Sequence, residues 1–289
     1  MGLELLAGIN EVNIIVVTVI LFFVFFTFIH LESKAQNIDS IAIVSQNWQE
    51  KTLRKGIVWK KAHFENLFNS HQMINIIEID LSKNNLKNLG LEALPNSRKK
   101  TSFLADSLHA VAAINGGFFD MKNGGAVDYI KVNNKEINQT LNPSIRANAY
   151  LAFDNKNFII TTDSLIAKKY NNVMLAGPNL LMNGENSQLE KNPFNSNRHP
   201  RTAIAIKNNK LILLTADGRH SNASGLNLTE LANLFRWYGC EEAMNLDGGG
   251  STAMYISGQP NNGIVNYPSD NKLFDHAGER AVSNIIYIK

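Results

Sequence analysis

Residues 199–256 read HPRTAIAIKNNKLILLTADGRHSNASGLNLTELANLFRWYGCEEAMNLDGGGSTAMYI, and this stretch decides the fold. Thr202–Ile206 and Leu211–Ala216 are apolar runs separated by the polar turn Lys207-Asn208-Asn209-Lys210, which predicts a hairpin. The second run ends at Asp217-Gly218-Arg219. After a loop, Leu228, Leu231, Leu234, Phe235 and Tyr238 recur at helical spacing, predicting a helix over Leu228–Tyr238. Asn227 can cap it, with Glu230 completing a capping box, and Gly239 stops it. A short strand, Ala243–Leu246, then breaks at Asp247-Gly248-Gly249-Gly250-Ser251 before Ala253–Ile256 extends again.

This order is strand, crossover helix, strand. Two such strands in one sheet are parallel, with a right-handed crossover. Asp217 and Asp247 then leave the sheet at the same edge, beyond the carboxyl ends of strands, where open α/β sheets place ligands.

The chain has 289 residues and a net charge of +3, without a basic block, so nucleic acid is not an expected partner. Cys240 is the only cysteine, which excludes an intrachain disulfide and a thiolate metal cluster. Near the N-terminus, Ile14–Ile29 is apolar apart from two threonines, and Ser33-Lys34-Ala35 resembles a cleavage site. The apolar run spans about 24 Å as a helix, short for a membrane core of ~30 Å. Glu4 and Glu11 stand where a signal peptide carries basic residues. Residues 1–35 are therefore read as an export segment, a signal peptide or an N-terminal membrane anchor. The expected location is extracytoplasmic, periplasmic or at the cell surface, with membrane contact only through that segment.

Elsewhere short strands dominate. Extended segments are expected at Ile41–Val44, Ile57–Trp59, Met73–Leu81, Ala110–Ile114, Asp128–Val132, Lys135–Ile137, Tyr150–Phe153, Phe158–Thr161, Leu180–Met182 and Val282–Ile288. Thr101–Leu108 reads as a helix, Asn84–Leu94 as a stretch either extended or undefined and closed by Pro95, and Asn261–His276 as a polar loop. The expected fold is α+β: a mixed, mostly antiparallel sheet core with at least one strand–helix–strand crossover in a single main domain.

Chemistry gathers at strand ends. Three consecutive glycines, Gly248, Gly249 and Gly250, let backbone amides curl around an anion, and Ser251 adds a hydroxyl. The following strand and the lack of a lysine exclude a Walker A loop. Asp247 beside such a cradle is costly unless used or capped. Arg201, Arg219 and Arg280 all lie at element ends, as does His199, and arginine clamps phosphate through paired hydrogen bonds. Asn115-Gly116-Gly117, followed by Phe118 and Phe119, offers an amide for sugar hydroxyls and rings for a sugar face; taken alone it reads as a strand end with two core aromatics.

Several motifs together resemble the phosphodiester glycosidase family: AINGGFF (113–119), GPNLL (177–181), HPRTA (199–203), DGR (217–219), SGLNLTEL (224–231), NLDGGGST (245–252) and ERAVSN (279–284). The resemblance covers residues 110–289, the core; residues 36–109 match loosely and form its N-terminal part. It implies hydrolysis of a sugar 1-phosphodiester, releasing the sugar. Glycosidases commonly use two carboxylates. Asp217 and Asp247 are the expected catalytic pair, Glu279 the third candidate, and His199 a proton donor or ligand to the leaving phosphate. Arg201, Arg219, Arg280, the Gly248–Gly250 amides and Ser251 would bind the phosphate, and Asn115, Gly116 and Gly117 the sugar. Neither a metal nor a cofactor is expected. Two other readings use the same cleft: a non-enzymatic surface glycan-binding protein, and a metal-dependent phosphodiesterase, although no His/Asp cluster shows ligand spacing in the sequence.

Overall fold

The computed structural model describes residues 38–83 and 85–289. The export segment expected over residues 1–35 lies outside the described residues. Among the described residues no helix is long and apolar enough to cross a membrane. Residues 38–44 are helical, not the strand expected over Ile41–Val44. A run that short carries too little periodicity to separate the two states.

Residues 46–289 form one compact unit. Its backbone is an eight-stranded antiparallel sheet. In spatial order the strands are Gln49–Arg54, Ile57–Phe64, Gln72–Asp80, Lys210–Ala216, Arg201–Lys207, Glu242–Asn245, Asn179–Met182 and Glu185–Asn186. The Lys210–Ala216 and Glu242–Asn245 strands flank Arg201–Lys207, each antiparallel to it. They are therefore parallel to each other, with the Leu228–Tyr238 helix as their crossover. The expected strand–helix–strand unit is present, and a third strand runs between its two parallel members.

A five-stranded sheet (Phe158–Thr161, Ala149–Phe153, Asn172–Ala176, Ile130–Val132, Lys135–Asn138) and a four-stranded sheet (Met254–Ile256, Ala112–Asn115, Asn284–Ile288, Leu89–Ala93) face it. The fold is thus α+β with antiparallel strand pairing. Ile204, Leu211, Leu213 and Met244 project from the large sheet into a central core, where they meet Leu151, Phe153 and Met174 of the second sheet and Ile114, Met254 and Ile286 of the third. Ile212 and Leu214 alternate to the other face and are also fully buried, which is why that strand reads as an unbroken apolar run.

The crossover helix covers that second face. Leu228, Leu231, Leu234 and Phe235 are wholly buried, each contributing about 1.5–3 kcal/mol of burial. Asn227 and Glu230 form the expected capping box, and Gly239 takes the left-handed conformation (φ 86°) that ends the helix. Tyr238 reaches across the sheet and donates to Glu78. The stretch Asn84–Leu94 resolves into a short 3-10 turn at Asn85–Asn88 and an edge strand, Leu89–Ala93.

Candidate active site

The parallel strands deliver Asp217 and Asp247 to the same end of the large sheet. The intervening strand runs the opposite way, so its first residues, His199 to Arg201, lie between them. An antiparallel bridge between His199 and Leu226 holds the loop after Asp217 against this edge, and a second, His220 with Ala223, closes that loop on itself.

Of the three glycine amides expected to cradle an anion, that of Gly249 is engaged within the fold. The Gly249 amide donates to the Pro200 carbonyl at 2.8 Å, and the Ser251 and Thr252 amides close back on the Gly248 and Gly249 carbonyls. These three donors serve the fold. The glycines also make room. A Cβ on Gly248 would stand 2.7 Å from the Pro200 carbonyl oxygen, and one on Gly249 (φ 61°) 2.9 Å from the Arg219 guanidinium. A Cβ on Gly250 would collide with the Arg280 guanidinium and the Asp270 carboxylate. The bare turn is a floor on which two arginines lie.

The three candidate carboxylates differ. Asp247 is half-buried, and burial pushes its pKa up to about 6 against the opposing pull of the Ser251 hydroxyl and the Arg280 and Arg146 charges. Asp217 is enclosed. Its Oδ1 accepts from Asn266 Nδ2 and the Tyr267 amide, both at 2.9 Å, while its buried Oδ2 has no partner among the described residues. Burial raises its pKa to about 6 as well. Glu279 stands apart: its two oxygens accept from the Ser102 amide (2.7 Å) and the Ser102 hydroxyl (2.6 Å), tying the Thr101–Ser107 helix to the last strand pair. Burial raises its pKa too.

The Asp217 shift has a measurable consequence. Its ordinary value is 3.8, so between pH 4 and pH 6 the folded protein holds a proton that the unfolded chain has released. Stability therefore falls as pH rises through that window and is level above it. A separation of about two pH units corresponds to about 3 kcal/mol. Asp217→Asn does not titrate, so its stability relative to wild type should rise by up to about 3 kcal/mol between about pH 4 and pH 7. Urea unfolding of both proteins at the two pH values checks this; a difference independent of pH would contradict the shift.

The cations form a cluster of their own. Arg201 is 1% exposed. Its guanidinium donates to the carbonyls of Leu226 (2.9 Å), Phe194 (2.7 Å) and Asn197 (3.0 Å) and lies over the Phe194 ring. It pairs with no carboxylate among the described residues, and burial lowers its pKa to about 10. Arg219 is exposed, held at a left-handed φ of 65°, its pKa lowered by partial burial and by Arg280. Arg280 pairs with Asp270. The pKa of His199 is lowered by burial, Arg201 and Arg219, so the imidazole is neutral at pH 7.

The AINGGFF segment is built into the walls. Asn115 Oδ1 accepts from the Thr202 hydroxyl (2.7 Å) and the Ala253 amide (3.1 Å), and Asn115 Nδ2 donates to the Asp247 carbonyl (2.6 Å). This side chain joins the four-stranded sheet to the large sheet and fixes the main chain of Asp247. The Gly116 and Gly117 amides both donate to Asn284. Phe118 is buried, with the exposed Arg146 over its ring.

Several neighbours of the site carried no local signal. Asn266 and Tyr267, which hold Asp217, sit in the segment read only as a polar loop. There His220, Phe274, Tyr267 and His276 stack in one column, with successive ring centroids 4.4, 4.2 and 4.4 Å apart. With Arg219 and Arg280, the His220, Phe274 and Tyr267 rings line a cavity of about 300 Å³. The aromatic residues of an otherwise polar loop were the available hint. Arg146 carried none.

The chain aligns over 68 residues, at 38% identity, with the SPbeta prophage-derived uncharacterized protein YomE of Bacillus subtilis, and over 71 residues, at 41%, with mouse N-acetylglucosamine-1-phosphodiester alpha-N-acetylglucosaminidase. These matches cover 23% and 24% of this chain but only 11% and 13% of those longer proteins. Among solved structures, a hypothetical protein from Synechocystis superposes with a TM-score of 0.68 at 14% identity, covering 84% of this chain and 64% of that one. The zebrafish N-acetylglucosamine-1-phosphodiester alpha-N-acetylglucosaminidase catalytic domain, auto-inhibited by its pro-peptide, gives 0.64 at 21%, covering 84% and 87%. The phosphodiester glycosidase family model matches residues 109–289, and the chain belongs to that family.

Proposed function

We propose that this protein is an extracytoplasmic hydrolase that cuts the glycosidic bond of sugar 1-phosphodiesters in envelope or extracellular glycans. The sugar is released and the aglycone keeps a phosphomonoester. The observation that supports this most is the glycine turn that begins at Asp247 and lies beneath Arg219 and Arg280. It sets a half-buried carboxylate, which feels the charges of Arg280 and Arg146, at the head of a turn that lies against the Arg219 guanidinium.

In this reading Arg219 and Arg280 hold the diester phosphate through charge-assisted hydrogen bonds. Asp247 faces C1 of the sugar and either attacks it or takes a proton from the water that does. The C1–O bond breaks, its electron pair goes to the phosphate oxygen, and the arginines stabilise the charge that gathers there. Phosphate is a good leaving group, so little acid assistance is needed. Neutral His199 contributes a hydrogen bond and no charge. Asp217 is a positioning residue: through Asn266 and Tyr267 it fixes the loop that carries the ring column. Glu279, occupied by Ser102, anchors a helix. The apolar run Ile14–Ile29 supports the export reading.

Incubating the full-length protein with a panel of sugar 1-phosphodiesters tests the proposal. Free sugar and phosphomonoester should appear in equal amounts for at least one member. Saturable glycan binding with no release from any member would favour the non-enzymatic reading.

A further inference from the structure

We propose that His63, Glu65 and His71 form a binding site for one divalent transition-metal ion of the zinc type. The site is separate from the Asp247 cleft and does not depend on the activity proposed for it. In the sequence, HFENLFNSH (63–71) is unremarkable. The hairpin makes the cluster. His63 pairs across the strands with Met73, so His71, two residues before Met73, falls on the same face as His63. The two imidazoles stack 5.7 Å apart at 18°. Glu65 lies between them, one oxygen 3.4 Å from His63 Nδ1 and the other 3.2 Å from His71 Nδ1.

Each separation runs to a different oxygen of Glu65 and is long for a direct hydrogen bond. A good N–H···O contact is near 2.9 Å. In a tetrahedral site with metal–ligand bonds of about 2.0–2.1 Å, neighbouring ligand atoms are about 3.3 Å apart. All three potential ligand atoms lie within 4.8 Å of one another. Two imidazoles and one carboxylate, with one position left to water, is a donor set suited to zinc, cobalt, nickel or copper, and poorly suited to calcium or magnesium.

The backbone that presents the ligands is fixed in advance. Leu67 is fully buried, and the Leu67 and Ser70 main chains exchange hydrogen bonds of 3.0 and 3.2 Å. Phe68 stacks on Trp237. Arg198, paired with Glu230, donates to the Phe68 carbonyl and to the Ser70 hydroxyl. On the far side, the His71 carbonyl accepts from the Ser224 amide at 2.9 Å, in the loop that also carries Arg219. An ion here would staple the hairpin end beside that loop. His63 also lines a cavity of about 340 Å³ that shares Tyr267 with the arginine-lined one.

The test uses full-length protein free of any affinity tag. Calorimetric titration with Zn²⁺ should show one ion per chain, and Co²⁺ should give the visible absorption of a low-coordinate site. The double substitution His63→Ala with His71→Ala should weaken Zn²⁺ binding at least ~10-fold and remove the cobalt spectrum. The exposed single change Glu65→Gln, which leaves both imidazoles in place, should weaken binding without altering the thermal melt. His109→Asn, elsewhere on the surface, should change nothing. No saturable Zn²⁺ binding by wild type, or unchanged binding by folded double variant, would overturn the proposal while leaving the glycosidase reading intact.

Discussion

Asp247→Asn should lower kcat for a sugar 1-phosphodiester by about 10²–10⁴-fold, with little change in KM and no loss of thermal stability. The substitution keeps the shape of the side chain and its place at the head of the glycine turn, and removes only the negative charge. In the wild type that charge sits where burial opposes ionisation, with a pKa of about 6. A nucleophile or base with that value gives a pH–rate profile that rises through pH 6 and levels above it. The variant should lose this limb together with the rate. Near-wild-type turnover would remove Asp247 from the mechanism and return the enclosed Asp217 to a direct role. If the activity were that of a metal-dependent phosphodiesterase, chelator would abolish wild-type turnover and added metal would restore it.

Arg201→Ala should produce the largest loss of stability, about 3–5 kcal/mol, as for truncation of a large buried side chain that also loses charged hydrogen bonds. The physical reason is the environment of the guanidinium, not an ion pair. It is fully buried, and its donors reach the carbonyls of residues 194, 197 and 226. Truncation leaves these acceptors without the guanidinium and opens a cavity against the Phe194 ring. At about 2–4 °C per kcal/mol for a domain of this size, the melting temperature should drop by roughly 10 °C. Arg201→Lys should rescue only part of the loss, because a single ammonium cannot span three carbonyls as the planar fork does. An unchanged melt for Arg201→Ala would mean that the residue serves substrate alone.

What was legible in the sequence was local. The 201–216 hairpin, the capping box at Asn227 and the glycine stop at Gly239 depend on residues a few positions apart, and the structure has all three. The shared edge of Asp217 and Asp247 followed from one crossover. What stayed hidden depends on contacts between distant segments. Asn115 reads as an amide free for a sugar, yet residues 202, 247 and 253 claim its hydrogen bonds. Glu279 reads as a spare carboxylate until Ser102, far away in the chain, meets both its oxygens. The glycine triplet suggested an anion cradle because flexible backbone is what the residue type announces; that two arginines need the space depends on Arg219 and Arg280 arriving from separate loops. The His63–Glu65–His71 cluster likewise depends on strand register, which spacing in the sequence does not express.

In the proposed reaction the bond cut is the one between the sugar carbon and oxygen. This is tested most directly by running the hydrolysis in water enriched in the heavy oxygen isotope and weighing both products. A glycosidase acting through Asp247 must place the label on C1 of the released sugar and leave the phosphomonoester unlabelled. Label in the phosphate would show attack at phosphorus and contradict the account.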